Sequence, residues 1–281
     1  MKKLLLPFLF LIAVSSSAQK VSNKLTFQKG QKLEVVTNMN ATTEMMMGES
    51  TNTSASTEVY EVKDVAGTNT TLERSMKKLK MNISMMGQEK SIDSDKPEDL
   101  TGMLGEPVKE LLNTKNEFTI DASGKIIAVK NTEKKKKEEN NMMAMFMQQM
   151  NVGSGVPTEG LASFFKVLPD REVGKGDSWA DTIAAAGNVV NTSYTVKDIT
   201  DTEILLDFIS DGKIDTKQNM MGMSVEVKGT VKSNGTITLD KTTGILKKKT
   251  VTNQTQTASS LNGQEMNINS KSTSDITVRS I

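Results

Sequence analysis

The sequence predicts a mainly β protein of antiparallel strands, built as two related β-meander halves with a short helical insert between them. Three observations predict it. Apolar and polar residues alternate with a period of two over much of the chain from Leu33 onward, as in strands with one buried face. Asn-Gly, Asp-Gly and Asp-x-x-Gly turn signals recur between these runs, because such residues tolerate the backbone of tight turns. One block is also written twice: VYEVKDVAGTNTTLE (Val59–Glu73) returns as SYTVKDITDTEILLD (Ser193–Asp207).

The chain opens with Lys2 and Lys3, an apolar run from Leu4 to Val14 and the small residues Ser15–Ala18. This order reads as a secretory signal peptide cleaved after Ala18, too short for a spanning helix. No Cys follows the run and no second long apolar run occurs, so the mature chain is expected to carry neither an N-terminal lipid nor an integral membrane segment.

The first strand places Leu33, Val35, Thr37, Met39, Ala41, Thr43, Met45 and Met47 on one parity and breaks at Gly48. The chain returns through a Thr/Ser-rich strand ending near Val62. A third strand, Thr70–Met86, changes face within its length, which predicts a bulge near Lys77–Lys78. Met86–Glu89 turns again, and Asn116–Lys130 is a hairpin with its turn at Asp121–Gly124. Asn131–Met150 has helix formers and no Gly or Pro, with Thr132 as cap and Glu133 in the first turn. A second short helix is expected from Thr158 to just before Pro169. Leu168–Trp179 re-enters β structure. Turns are expected at Ser210–Lys213, Ser233–Thr236 and Leu261–Gln264. They separate strands carrying Ile204, Leu206 and Phe208, then Val225 and Val227, then Ile237 and Leu239, and finally Ile276 and Val278.

The duplication extends beyond the opening block. Tyr60, Val62, Lys63, Asp64, Thr68 and Leu72 recur as Tyr194, Val196, Lys197, Asp198, Thr202 and Leu206. Phe118–Ile126 is similar to Ile237–Leu246, and Lys29–Leu33 to Lys175–Trp179, in the same order. The expected organisation is a signal peptide (1–18), a first β repeat (19–130), a helical insert (131–170) and a second β repeat (171–281). A duplication alone allows two small sheets or one continuous sheet. Long antiparallel strands coil, so the picture drawn is a curved sheet or open barrel with helices across its mouth.

Four motifs also resemble DUF6263, a family of exported Bacteroidota proteins of unknown function. They are KGQKLEV (Lys29–Val35), YEVKDV (Tyr60–Val65), FTIDASGKIIAV (Phe118–Val129) and the more distinctive LPDREVGKGDSW (Leu168–Trp179). The resemblance implies an exported β-rich protein. It implies no activity and supplies no site residues.

Composition removes several chemistries. The 35 Lys and Arg balance 34 Asp and Glu at a net +1, and loss of Lys2 and Lys3 with the leader brings this to about −1. Neither value draws the chain to nucleic acid. His and Cys are absent, which takes away the commonest general base, the usual zinc ligands and any thiol nucleophile. Ser-x-x-Lys occurs at Ser75–Lys78 and Ser210–Lys213, but neither is expected to start a helix, as a Ser-Lys enzyme requires. Aromatic residues make up 4%, too few for the platforms of a sugar-cleaving groove. Counting a calcium loop from Asp93 puts Glu98 where Gly belongs and Leu104 where Glu belongs. No catalytic residue, metal site or cofactor is assigned, and the chain is expected not to be an enzyme.

The 19 methionines are the unusual feature. They cluster at Met45–Met47, Met85–Met86, Met142–Met150 and Met220–Met223. Thioethers fill core space, adapt to apolar ligands, or bind Cu(I). The expected function is periplasmic or secreted binding of an apolar, lipid-like ligand, lined by Met45, Met47, Met85, Met143, Met147, Phe164 and Phe165. The alternative is an envelope structural or protein-interaction module without a small ligand. Methionine-mediated copper binding comes third.

Overall fold

A computed structural model describes residues 19–45, 48–85, 87–130, 157–185, 188–220, 223–261 and 264–281. Its strands are β1 (Lys20–Val21), β2 (Lys32–Met45), β3 (Gly48–Ala66), β4 (Asn69–Met85), β5 (Gln88–Asp93), β6 (Lys115–Ile120) and β7 (Ile126–Lys130) in the first half. The second half holds β8 (Val173–Gly174), β9 (Ser178–Ala185), β10 (Asn188–Ile199), β11 (Glu203–Met220), β12 (Met223–Asp240), β13 (Leu246–Leu261) and β14 (Gln264–Ser280). One helix, α1 (Gly102–Asn113), follows a short 3-10 turn at Pro97–Leu100.

All strands but β1 and β8 join one 12-stranded antiparallel sheet in the order β7-β6-β4-β3-β2-β14-β13-β12-β11-β10-β9. β6 pairs with the first part of β4 and β5 with the last part. The path ends at β7 and β9, so the sheet is open. Each half runs in the same sense across it, and β14 lies between β2 and β13. The last strand of the chain thereby fuses the halves into one continuous sheet.

The repeated blocks make the same bonds. Gly30 N–H donates to Val62 O and Gly176 N–H to Val196 O, both at 2.9 Å. Lys29 pairs with Asp64 and Lys175 with Asp198, again both at 2.9 Å. The Asp-x-x-Gly turns also match. Asp121 accepts from the N–H groups of Ser123 and Lys125, and Asp240 from those of Thr242 and Thr243. Gly124 and Gly244 then take positive φ, 85° and 71°, which glycine adopts without a Cβ penalty. The segment before β2 ties the two turns together, with Leu25 N–H donating to Ala122 O and Thr26 N–H to Thr243 O.

These aspartates give the protein an acid limb. Burial, the largest single influence on each, would raise the carboxyl pKa, but the turn hydrogen bonds together outweigh it and hold both below the usual carboxylate range. A depressed pKa stabilises the fold above the unfolded value of about 4 and loses that contribution as pH falls through the folded value. The urea midpoint is therefore expected to drop as pH falls below about 4, and to drop less steeply in the Asp121→Asn/Asp240→Asn variant. An identical acid limb in that variant would assign the loss to other carboxylates.

The core lies on one face of the sheet, nearer the end that carries the turns at Gly67, Thr200–Thr202 and Lys241–Gly244. One cluster gathers Val196, Leu206, Phe208, Ile237, Leu239 and Leu246 from the second half. Another gathers Leu33, Val35, Tyr60, Val62, Leu72 and Phe118 from the first. A third holds Met76, Leu79, Met81 and Ile92 under Val108 of α1.

Several sequence expectations change here. Residues 157–170 form turns and a single bridge, Lys125 to Ala162, where a short helix was expected. Ser163 N–H donates to Gly124 O and Ile126 N–H to Leu161 O, so the segment's backbone serves the β6–β7 turn as well as its own turns, where Leu161 N–H donates to Thr158 O and Lys166 N–H to Ser163 O. The described helix is α1, which lies on the first half of the sheet and spans no mouth. The expected helix at 131–150 lies outside the described residues, as does the leader at 1–18. Ser210–Lys213 and Ser233–Thr236 are not turns but lie inside β11 and β12, which pair along their whole length. A Cβ on Gly235 would stand 1.9 Å from Thr250 O, and one on Gly212 would stand 2.6 Å from Val231 Cγ1. These glycines are present for close approach between neighbouring chains, not for a turn. The bulge near Lys77 is observed: Thr57 pairs with Lys78 and Glu58 with Met76, leaving Lys77 over.

Candidate functional site

Antiparallel partners point to the same side of a sheet, so register gives the composition of the core face row by row. One row in from Ile204, Leu239 and Leu246 at the turn-bearing end, Leu206, Ile237, Lys249 and Ile276 stand abreast. The next row is Trp179, Tyr194, Phe208, Gly235 and Val251. Beyond it come Asp181, Thr192, Ser210, Ser233 and Asn253, and then Ile183, Val190, Gly212, Val231 and Thr255.

The two halves treat this face differently. Past Leu72, β4 presents Met76, Leu79 and Met81, and α1 lies over them. Past Leu206, β11 presents Phe208, Ser210 and Gly212, and no helix covers them among the described residues. The aromatic row of the second half is the candidate site. Trp179 and Tyr194 stack at 5.2 Å with planes 15° apart, and Tyr194 meets Phe208 at 6.3 Å. Trp179 Nε1 is buried and has no hydrogen-bond partner among the described residues.

Lys249 completes the site. Its Nζ stands 5.2 Å from the centroid of the Phe208 ring. Gly235, between Phe208 and Val251 in the register and diagonal to Lys249, carries no side chain on this face. Lys249 forms no ion pair among the described residues, and burial lowers its pKa by disfavouring the charged form. The Phe208 ring face offers the ammonium a partial substitute for water. Burial also raises the Tyr194 pKa, helped by the nearby Asp181 charge.

Of the residues expected to line a ligand, Phe164 and Phe165 meet each other at 5.2 Å, and Met45 and Met85 lie away from them. Phe165 is 1% exposed and sits in the first-half core, while Phe164 packs against both main clusters. Met45 and Met85 close the far ends of β2 and β4, at the hairpin tips. Twelve residues of extended strand separate Leu33 in the core from Met45, roughly 40 Å. Met47, Met143 and Met147 lie outside the described residues. The methionine pattern does have a spatial meaning. The tips after β2, β4 and β11 all lie at the same end of the sheet, and their last pairs contain Met45, Met85, Met220 and Met223.

An open cleft of about 520 Å³ lies along Asp207–Asp211 of β11, Lys232–Thr236 of β12 and Gln254 of β13. It contains no Met or Leu, so it is not the apolar cavity expected of a carrier. The aromatic row and Lys249 were missed in the sequence, because the lysine run 247–249 gains a parity only from its register with β12.

A model of DUF6263, a family of unknown function, matches residues 67–246. The chain belongs to this family. The match includes the Phe118–Val129 and Leu168–Trp179 motifs of this DUF6263 protein and leaves Lys29–Val35 and Tyr60–Val65 outside. No curated protein matches the chain. Among solved structures, lipovitellin, studied for its lipid–protein interactions, aligns with a TM-score of 0.51 at 11% identity. The alignment covers 90% of this chain and 25% of that one, so the DUF6263 chain spans about a quarter of lipovitellin. An outer membrane channel from Pseudomonas putida F1 aligns with a TM-score of 0.29 at 7% identity, over 92% of this chain and 98% of that one. OccK7 from Pseudomonas aeruginosa gives 0.28 at 8% identity, over 90% and 100%. At those two scores no common fold is established.

Proposed function

We propose that this is an exported, non-enzymatic protein of the periplasm or medium that binds an apolar, lipid-like molecule on the core face of its second half. The observation that carries the reading is the row of half-buried Trp179, Tyr194 and Val251 about the buried Phe208, which no helix covers among the described residues. Apolar surface in that position gains from a ligand roughly 25 cal/mol for each Å² removed from water. The sheet shared with lipovitellin adds weight through fold analogy alone.

Trp179 is the only tryptophan, so the protein carries its own reporter. Bromine quenches indole emission on contact. Titration with bromine-labelled stearate is expected to quench Trp179 saturably, and excess unlabelled stearate to reverse it. Emission that stays flat to the solubility limit would sink the reading. The alternative interaction module relies on long exposed sheet edges. The edges observed are β7, 5 residues, β5, 6 residues, and β9, 8 residues, whereas β3 inside the sheet has 19. Short edge strands are how proteins avoid edge pairing.

A further inference from the structure

We infer that the ligand of this face is an amphiphile with an anionic headgroup, a carboxylate, held by Lys249 at the inner end of the aromatic row. The inference rests on the binding reading above and names the class of ligand. Its first support is register. On the core face of β9 to β14, the charged side chains among the described residues are Lys249 and Asp181, and Asp181 lies two rows further toward the hairpin tips. Lys249 stands with Leu206, Ile237 and Ile276, three aliphatic side chains that cannot satisfy an ammonium.

Its second support is geometry. Neighbouring lysines leave the face: Lys247 pairs with Glu203, and both Lys247 and Lys248 are exposed. Lys249 instead turns in over Phe208. A half-buried amine without a counter-ion costs free energy, and an incoming anion removes that cost by forming a charge-assisted hydrogen bond. The chain of the same ligand then lies over Tyr194, Phe208 and Val251, whose row begins beside the ammonium. Toward the tips the face is apolar again, at Ile183, Val190 and Val231 and further on at Ile214 and Ile268. A carboxylate anchor at Lys249 and an acyl chain running toward the tips use both features. A small anion would use only the first, and a neutral hydrocarbon only the second.

The experiment compares bromine-labelled stearate, its methyl ester and acetate on wild-type protein and on Lys249→Met, with Trp179 emission as the readout. Methionine keeps the apolar stem over Phe208 and removes the charge. Wild type is expected to bind stearate at least about tenfold tighter than the ester, the range of one hydrogen bond to a charged group. Acetate is expected not to displace stearate. Lys249→Met is expected to bind both labelled ligands with the ester's affinity. Equal binding of stearate and ester by wild type, or an undiminished preference in Lys249→Met, overturns the headgroup assignment and leaves chain binding standing. Displacement by acetate makes the site an anion site and overturns the amphiphile. Failure of both labelled ligands overturns this inference together with the binding reading. A far-ultraviolet spectrum and melting curve like wild type's certify that the variant is folded.

Discussion

Phe165→Ala is expected to destabilise the protein by about 3–5 kcal/mol, the range for removing a buried aromatic from a packed core. The site leaves little room for a smaller loss. Phe165 is 1% exposed and meets Phe27 at 5.5 Å, Tyr60 at 5.1 Å and Phe164 at 5.2 Å, all edge-on. Edge-on aromatic pairs add about 0.5–1.5 kcal/mol each beyond the area they bury. The residue also sits on irregular chain, Pro157–Asp170, held to the sheet by a few backbone bonds, by these rings and by Val167 and Leu168 in the second-half core. Truncation removes the anchor as well as the contacts. Phe164 stacks on Tyr60 at 6.0 Å but is only partly buried, so Phe164→Ala is expected to cost less. Equilibrium urea unfolding measures both. A loss below about 1 kcal/mol for Phe165→Ala, with an unchanged slope, would show that the segment does not close the core.

What the sequence made legible was whatever local chemistry decides. The odd-numbered parity from Leu33 through Met39, the face change at Lys77 and the turns at Gly48 and Asp121–Gly124 were all readable, because each rests on a few adjacent residues. The misses rest on distant ones. Gly212 and Gly235 look like hairpin turns until β11 and β12 are seen to pair throughout, when the same glycines become places of close approach. Helix α1 has Leu104, Val108, Leu111 and Leu112 at helical spacing, but Gly102, Gly105 and Pro107 argue against a helix locally. A Cβ on Gly105 would stand 2.3 Å from Asp99 O, so the glycine serves the approach of the preceding turn. The site was hidden in a charge run. Lys247–Lys249 reads as solvated surface, and only a bulge between Thr238 and Leu239 fixes which lysine turns inward.

Arg74→Met is expected to cost about 3–5 kcal/mol, because it takes the Arg74 partner away from a buried Glu58 carboxylate. The two side chains are 6% and 2% exposed, and Arg74 Nε donates to Glu58 Oε1 at 2.9 Å with Nη2 on the same oxygen. They lie between the first-half core and the cluster under α1, on the core face beside Val35 and Met76. Replacing both, Glu58→Leu with Arg74→Met, is expected to recover most of that loss, since a buried pair repays little more than its own desolvation. Urea unfolding of the two single variants and the double variant closes the cycle. If Arg74→Met alone costs less than about 1 kcal/mol, Glu58 has found water or a proton, and the pair is not sealed. Recovery in the double variant raises the question of why the pair is there. Its position suggests register. Glu58 is the first residue after the register shift opposite Lys77. Slipping β3 against β4 by one residue would turn one partner of the pair to the other face. In the native register the pair meets, and in the slipped one the two charges are parted to opposite faces. The double variant is therefore expected to keep its stability but to exchange the β3 and β4 amides beyond the bulge faster than wild type. Unchanged exchange there would leave the bulge specified by Leu79 and Met81 alone, whose burial under α1 also requires the native parity.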